Sequence, residues 1–166
     1  MNWRKRHLVP VFVVLAAVLV AAGLLYSYLP KGSSSNSPSG NPPGSNLQCK
    51  GTAACFADTV TYIVDGDTLD VGSTRIRLAL VNSPEVGQPG YTEAKQFTAL
   101  TCPVGSSALV DEDDGQTGGS YGRMVAVVYC GGVNLNGALL GSGNAVLVTY
   151  YSSVSELADE PWTGCP

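Results

Sequence analysis

Val64-Asp65-Gly66-Asp67-Thr68, followed after a short hairpin by Arg77-Leu78-Ala79-Leu80-Val81-Asn82-Ser83-Pro84-Glu85, decides how this chain folds. Upstream, Thr59 to Val64 alternates polar and apolar residues and is rich in β-branched side chains, the pattern of a strand. Asp65-Gly66 then turns or bulges the chain, and Thr68 to Val71 predicts a short second strand. Gly72-Ser73 is a tight hairpin signal, and Thr74 to Val81 predicts the third strand, ended by Pro84. Along it Ile76, Leu78 and Leu80 face one way and Arg75, Arg77 and Ala79 the other, because side chains alternate across a strand. The stretch thus sets acidic oxygens, an arginine and a lone glutamate at the ends of adjacent strands.

Working outward, Thr92 to Thr101 predicts a helix with Thr92 as N-cap and Ala94, Phe97 and Leu100-Thr101 inward. Pro103 and Gly105 break it. Ser107 to Glu112 and Tyr121 to Tyr129 predict two more strands, separated by the polar, Gly-rich segment from Asp113 to Ser120. Asn134 to Ser142 reads as a second helix with Leu135, Ala138 and Leu139 inward and Gly143 as its stop. Ala145 to Thr149 is extended and apolar. Ser153 with Glu156 makes a capping box for a last short helix, stopped before Pro161. The fold class is mainly β with α. Five short strands with a helix between the third and fourth is the order of an OB-type barrel with two to three flanking helices.

Before that domain lie two other segments. Arg4, Lys5 and Arg6 precede an uncharged apolar run from Leu8 to Leu29, long enough at ~1.5 Å per residue to cross a ~30 Å hydrocarbon core. Residues 1–30 therefore read as a basic cytosolic flank and a transmembrane signal anchor. The charge asymmetry puts everything after Pro30 outside the cell. Val20-Ala21-Ala22 offers an alternative, cleavage and secretion. Residues 31–46 are Gly, Ser, Asn and Pro with few apolar side chains, a flexible tether with a reach of ~20–25 Å. The globular domain spans residues 47–166.

All thirteen carboxylates fall in that domain, against the cations Lys50, Arg75, Arg77, Lys95 and Arg123, leaving a charge of about minus eight. This excludes a broadly basic nucleic-acid grip. A polyanion would have to be held by a few placed arginines and a metal ion. The chain's only histidine is His7, so histidine general bases, Ser-His-Asp hydrolysis and His-ligated zinc are closed to the domain. The five cysteines, Cys49, Cys55, Cys102, Cys130 and Cys165, all lie in the exported part, where disulfides are expected. An odd count leaves one free or joined to a second molecule in a disulfide-linked dimer. Zinc is the rival reading, but no Cys-x-x-Cys spacing is present.

Taken alone, Asp65-Gly66 is ordinary turn chemistry. Its company changes the reading. Asp67 can supply a carboxylate, Asn82 an amide oxygen and Ser83 a backbone carbonyl, the oxygen donors that a hard cation such as calcium takes. Glu85 lies where it can orient a water or take its proton. Arg77 has the bidentate fork that suits phosphate, and Arg123 opens the fifth strand after a flexible segment. Asp111-Glu112-Asp113-Asp114 reads either as a second cation site or, as acidic runs commonly do, as a strand end entering a solvated loop. Tyr150 and Tyr151 read either as base-stacking surfaces or as a pair half-buried at a barrel edge.

Val64-Asp-Gly-Asp-Thr68, Ile76-Arg-Leu-Ala-Leu-Val-Asn-Ser-Pro-Glu85, Asp113 with Gly115-Gln116, and Tyr121-Gly-Arg123 together resemble the staphylococcal (micrococcal) nuclease family, the thermonucleases. The similarity runs from about Ala57 to Tyr151. It implies an OB-fold barrel with flanking helices and a calcium-dependent endonuclease, a phosphodiesterase that hydrolyses DNA and RNA to 3′-phosphate products. By position it implies metal-holding roles for Asp67, Asn82 and Ser83, a general base in Glu85, and phosphate binding by Arg77 and Arg123. Tyr121 and Tyr151 match positions that contact the nucleotide. Asn82 stands where the family carries a second aspartate, which predicts weaker calcium binding. In this fold the end of the first helix and the end of the fifth strand approach, which implies a Cys102–Cys130 disulfide. Any further bond among Cys49, Cys55 and Cys165 stays open. The expectation is a membrane-anchored extracellular nuclease acting on nucleic acid. The rival is a catalytically weak or inactive OB-fold nucleic-acid-binding module at the cell surface.

Overall fold

The computed structural model describes residues 49–166. The expected basic flank, the membrane span at 8–29 and the linker at 31–46 lie outside the described residues. Strand β1 (Cys55–Ile63) is longer than the alternation from Thr59 predicts, because it serves two partners in succession. Its first half pairs antiparallel with β5 (Ser107–Glu112), from Cys55 opposite Asp111 to Thr59 opposite Ser107. Its second half pairs with β2 (Thr68–Val71), across an irregularity between Val60 and Tyr62. Such a bulge bends and twists a strand, which lets one strand belong to both walls of a barrel.

A hairpin joins β2 to β3 (Thr74–Leu78), with Thr68 opposite Arg77 and Asp70 opposite Arg75. Gly72 takes φ +58° at its tip, where a side chain would also meet the Asp58 carboxylate. Arg75 forks onto Asp70 with Nε–Oδ1 2.8 Å and Nη2–Oδ2 3.0 Å. Strand β6 (Met124–Cys130) pairs antiparallel with β5 and parallel with β3, and this last pairing closes β1, β2, β3, β5 and β6 into a barrel. The five-stranded OB-type expectation is met.

The third strand stops at Leu78, three residues short of the predicted Val81. Ala79 and Leu80 turn the chain, with Leu80 buried at φ 60°. The next pair, β4 (Val81–Asn82), leaves the barrel and pairs with β8 (Val146–Leu147). Buried Asn136 seals the turn, donating from Nδ2 to the Ala79 and Ala126 carbonyls and accepting at Oδ1 from Val128 N–H. The fifth barrel strand likewise begins at Met124 instead of Tyr121, because Ser120 to Arg123 forms a turn with Tyr121 at φ 52°.

Helix α1 (Tyr91–Thr101) starts after Gly90, whose φ of 90° makes the entry turn, so the expected cap Thr92 lies inside the first turn. Its inner face is Ala94, Thr98 and then Cys102. Leu100 lies across the helix from them and is 82 % exposed, against expectation. A two-residue strand, β7 (Val133–Asn134), leads into helix α2 (Leu135–Gly141), which is capped by Asn134 accepting from Gly137 N–H. Leu135 and Leu139 are buried, and Ala138 is half-buried.

The predicted last helix does not form among the described residues, where 152–163 is a run of turns. Glu156, expected in its capping box, is held elsewhere: its N–H donates to Asp113 Oδ1 and its carboxylate accepts from Asp114 N–H. The acidic run is therefore no solvated loop. Asp111 and Asp113 are buried, and the run holds the incoming chain. Lys50 N–H donates to Asp111, and Thr52 and Ala53 N–H groups donate to Asp114.

Disulfides join Cys102 to Cys130, as the resemblance implied, and Cys49 to Cys55. Cys165 has no disulfide, and its Sγ sits beside Ser152 Oγ. The main core fills the barrel with Val60, Leu69, Ile76, Leu78, Val110 and Val128, stoppered by Leu135 and Leu139 of α2.

Candidate active site

The site begins with the loop between β1 and β2. Val64 and Asp65 N–H groups both donate to Thr68 O, which folds the loop back on itself. From α1, buried Thr98 donates its hydroxyl to Gly66 O at 2.5 Å. A Cβ at Gly66 would lie 2.7 Å from both Ala94 and Ser83, so glycine is what lets the loop lie this close to helix and strand. The loop is thereby pinned where Asp67 must point inward.

Asp67 is 3 % exposed. Its Oδ2 accepts from Ser83 N–H at 2.6 Å and lies 3.1 Å from Arg77 Nη1, while Oδ1 accepts from the Thr68 hydroxyl at 3.2 Å. Burial pushes its pKa up, against the opposing pull of the Arg77 charge and the Ser83 N–H. Arg77 is lowered by the same burial, with Asp67 working the other way. Each charge is thus only partly compensated by the other, the usual condition of a buried ion pair.

Arg77 spends its fork inside the protein. Nη1 donates to Val81 O at 2.6 Å and Leu78 O at 3.2 Å, and Nη2 donates to Asn82 Oδ1 at 3.1 Å. The parallel register of β3 on β6 sets Arg77 opposite Val125, two residues from Arg123. Arg123 donates from Nε to Ser120 O and from Nη2 to Ser120 Oγ. Its guanidinium carbon lies 5.9 Å from the centre of the Tyr121 ring, within cation–π range.

Arg77, Asn82, Glu85, Tyr121, Arg123 and Tyr151 line one cleft of about 760 Å³. The structure therefore brings together six of the eight residues singled out for binding or chemistry. The other two sit behind the wall. Asp67 backs Arg77, and buried Ser83 borders a smaller hollow of about 200 Å³ on the far side of Asn82. Among the described residues the two non-glycine positions with positive φ, Leu80 and Tyr121, both line the cleft. Such backbone persists only where its surroundings over-determine it, and it concentrates at functional sites. Tyr150 is 82 % exposed, outside the cleft, and meets Tyr151 edge-on at 5.0 Å.

The sequence reading missed Thr98, which fixes the loop, and Ser120, which aims Arg123. A hydroxyl four residues after Ala94 on the inner face of a helix was the signal available for the first. For the second the signal was Gly122, which takes φ 76° beside Tyr121 at φ 52° in the turn that brings Ser120 against Arg123.

The donors suit a hard cation. Asp67, the Asn82 amide and the Ser83 carbonyl are all oxygen donors. The Asn82 oxygen now serves Arg77 and would have to turn to take part.

Residues 75–161 match the family model described as staphylococcal nuclease homologue, just over half of the chain. The chain belongs to this family. A micrococcal nuclease of Shigella flexneri is 33 % identical over 117 residues, covering 62 % of this chain and 64 % of that protein. An uncharacterised protein of Bacillus anthracis is 31 % identical over 110 residues, covering 61 % of this chain and 51 % of its own length. The chain thus spans between half and two thirds of these relatives. The matched segment holds Arg77, Asn82, Ser83, Glu85, Tyr121, Arg123 and Tyr151 and begins beyond Asp67.

Proposed function

We propose that this protein is a membrane-anchored, outward-facing, calcium-dependent nuclease that hydrolyses phosphodiester bonds in DNA or RNA. The observation that carries the reading is the cleft in which Arg77, Glu85 and Arg123 meet, with the Asp67 carboxylate directly behind Arg77.

In this reading Asp67, the Asn82 side chain and the Ser83 carbonyl hold calcium, which supplies positive charge beside the phosphate and acidity to nearby water. Glu85, exposed in the cleft, takes the proton of the attacking water. The water oxygen bonds to phosphorus as the bond to the 5′-oxygen breaks, and the departing 5′-oxygen takes a proton from solvent, leaving a 3′-phosphate and a 5′-hydroxyl. Arg77 and Arg123 bind the non-bridging oxygens, on which charge builds during attack. Tyr121 and Tyr151 receive the base and sugar. Asn82 links the two halves of the site. When its oxygen turns away, Arg77 Nη2 loses its present partner and becomes free for phosphate.

The tether reading supplies the location. A basic flank, the apolar run from Leu8 to Leu29 and a polar linker suit a single-pass anchor with the domain outside the cell.

One observation favours a second reading, a binding module of little or no activity. Both guanidinium groups already have internal acceptors, Arg77 on Val81, Leu78 and Asn82, and Arg123 on Ser120. The two readings part on one assay with the full-length, disulfide-bonded protein and single-stranded DNA. The nuclease reading expects cleavage with calcium, none with chelator, and a loss of about a hundredfold or more in Glu85→Gln. Binding without cleavage would establish the second reading. Cleavage untouched by chelation would remove the metal assignment.

A further inference from the structure

The charge around the cleft carries an inference about substrate, which rests on the nuclease reading. Among the described residues five cations face thirteen carboxylates. Three of the five are in ion pairs: Lys50 with Glu160, Arg75 with Asp70, and Arg77 with Asp67. Lys95 lies on α1 and does not line the cleft. Arg77 and Arg123 are therefore the two cations that a phosphate in the cleft can meet.

Beyond them the cleft adds no cation, and among the described residues Glu85 is the one other charged residue that lines it. The wall formed by Gly115 and Gln116 belongs to the turn that Asp113 and Asp114 build. Gly115 N–H donates to Asp113, and Asp114 N–H donates to Glu156. Val154, on the same wall, brings no cation, and Lys50, near the chain that follows it, is already paired with Glu160. On the barrel side, Arg75 is already spent on Asp70, so the hairpin that carries Arg77 offers the cleft no second cation. A strand running past the central phosphate therefore meets no further cation in the cleft in either direction.

The ring surfaces add a second restriction. Tyr121 is 99 % exposed, beside Arg123 at the mouth of the cleft. A base can lie on such a ring only when it is unpaired and unstacked. Duplex DNA offers no free base face and brings a charge every ~1.7 Å along its axis.

We infer that the natural substrate is short and single-stranded, an oligonucleotide or a frayed end gripped at one or two phosphates. Long duplex is outside its range. Because so few phosphates are held, the ionic contribution to binding is small, and chain length beyond the grip adds nothing.

The test uses the full-length protein with calcium held constant and three substrates: a dinucleotide, a single strand of about thirty nucleotides, and the matching duplex. With two phosphates neutralised on a single strand, raising salt fourfold should lower kcat/KM only about sevenfold, from a slope of about −0.7 per phosphate. The dinucleotide and the long single strand should agree per bond within a few-fold, and the duplex should be cut poorly. A hundredfold salt effect, or strong preference for the duplex, would overturn the inference and leave the nuclease reading standing. Failure to cut any of the three would sink the nuclease reading.

Binding by fluorescence anisotropy to Glu85→Gln reads the grip without turnover. Affinity should level off by about three nucleotides, given one or two phosphate contacts. A continued rise with length would overturn the inference whether or not the protein cuts. Gly118→Lys supplies the missing cation at a cleft position where a Cβ meets open space. It should tighten binding of the long strand and raise the loss on fourfold salt to about eighteenfold, one more phosphate at about −0.7. No change would overturn the claim that the scarcity of cations sets the substrate length.

Discussion

Arg77 Nη1 sits 3.1 Å from Asp67 Oδ2, so the residues proposed to bind phosphate and to hold the cation are one buried ion pair. The barrel hairpin sets Arg77 opposite Thr68, next in sequence to Asp67, and the Ser83 N–H closes the far side of the carboxylate. In the proposed mechanism, metal binding, phosphate binding and stability therefore share the same two side chains.

Arg77→Ala should cost roughly 3 kcal/mol of stability, since it strands a buried carboxylate. Adding Asp67→Asn to that variant should recover much of the loss, because no charge is then left uncompensated. Urea unfolding of the four proteins of the cycle, with disulfides intact, measures the coupling. Simple additivity would deny that the pair acts as a unit.

Asn82→Asp should tighten calcium binding by about tenfold, as an added ligand charge does in oxygen-donor sites. It also places a carboxylate against Arg77 Nη2, where the amide oxygen now lies. Isothermal titration with calcium on the full-length protein reads the change. Equal affinity in the two proteins would place the cation away from Asn82.

Asp114 supplies a pH signature at the chain's entry to the domain. The Ala53 and Thr52 N–H groups hold its pKa below the usual carboxylate value. A depressed folded value means the contribution is present above the unfolded pKa and is lost as the pH falls through the folded one. Asp114→Asn should therefore lower Tm at neutral pH, with the gap to wild type closing as the pH drops below about 4. A gap that stays constant into acid would mean that the carboxylate charge plays no part.

The two disulfides should differ in weight. Cys102–Cys130 spans 28 residues and Cys49–Cys55 spans 6. On the chain-entropy account, removing the first by paired Cys→Ala changes should cost about 3.5 kcal/mol and removing the second about 2 kcal/mol. Denaturant midpoints compared at equal m-value test the order. A larger loss from the shorter loop would show that native contacts of the entering segment outweigh loop closure.

What the sequence made legible was local. Alternation from Thr59, the Gly72-Ser73 turn and the β3 pattern gave the hairpin, and the strand–helix order gave the barrel. The departures were set by partners far along the chain. Leu80 adopts a positive φ because β4 leaves to join β8, more than sixty residues on. Glu156 abandons its capping box for an acidic turn about forty residues back. Leu100 faced inward in the helical reading, but the spacing of four from Ala94 through Thr98 to Cys102 sets the buried face elsewhere. The meeting of Arg77 with Arg123 depends on the parallel register of β3 with β6, which neither strand's own residues encode. The motif resemblance, covering both arginines and Glu85 in order, supplied what periodicity could not.

The most direct measurement is a crystal structure of Glu85→Gln with calcium and a short single-stranded oligonucleotide. The account predicts one phosphate touched by both Arg77 and Arg123, a cation within reach of Asp67 and the Ser83 carbonyl, and the substituted side chain at position 85 on the face from which water would attack. A phosphate held away from either arginine, or a cation seated among Asp111 to Asp114 with Asp67 still bound only to Arg77, Ser83 and Thr68, would contradict it.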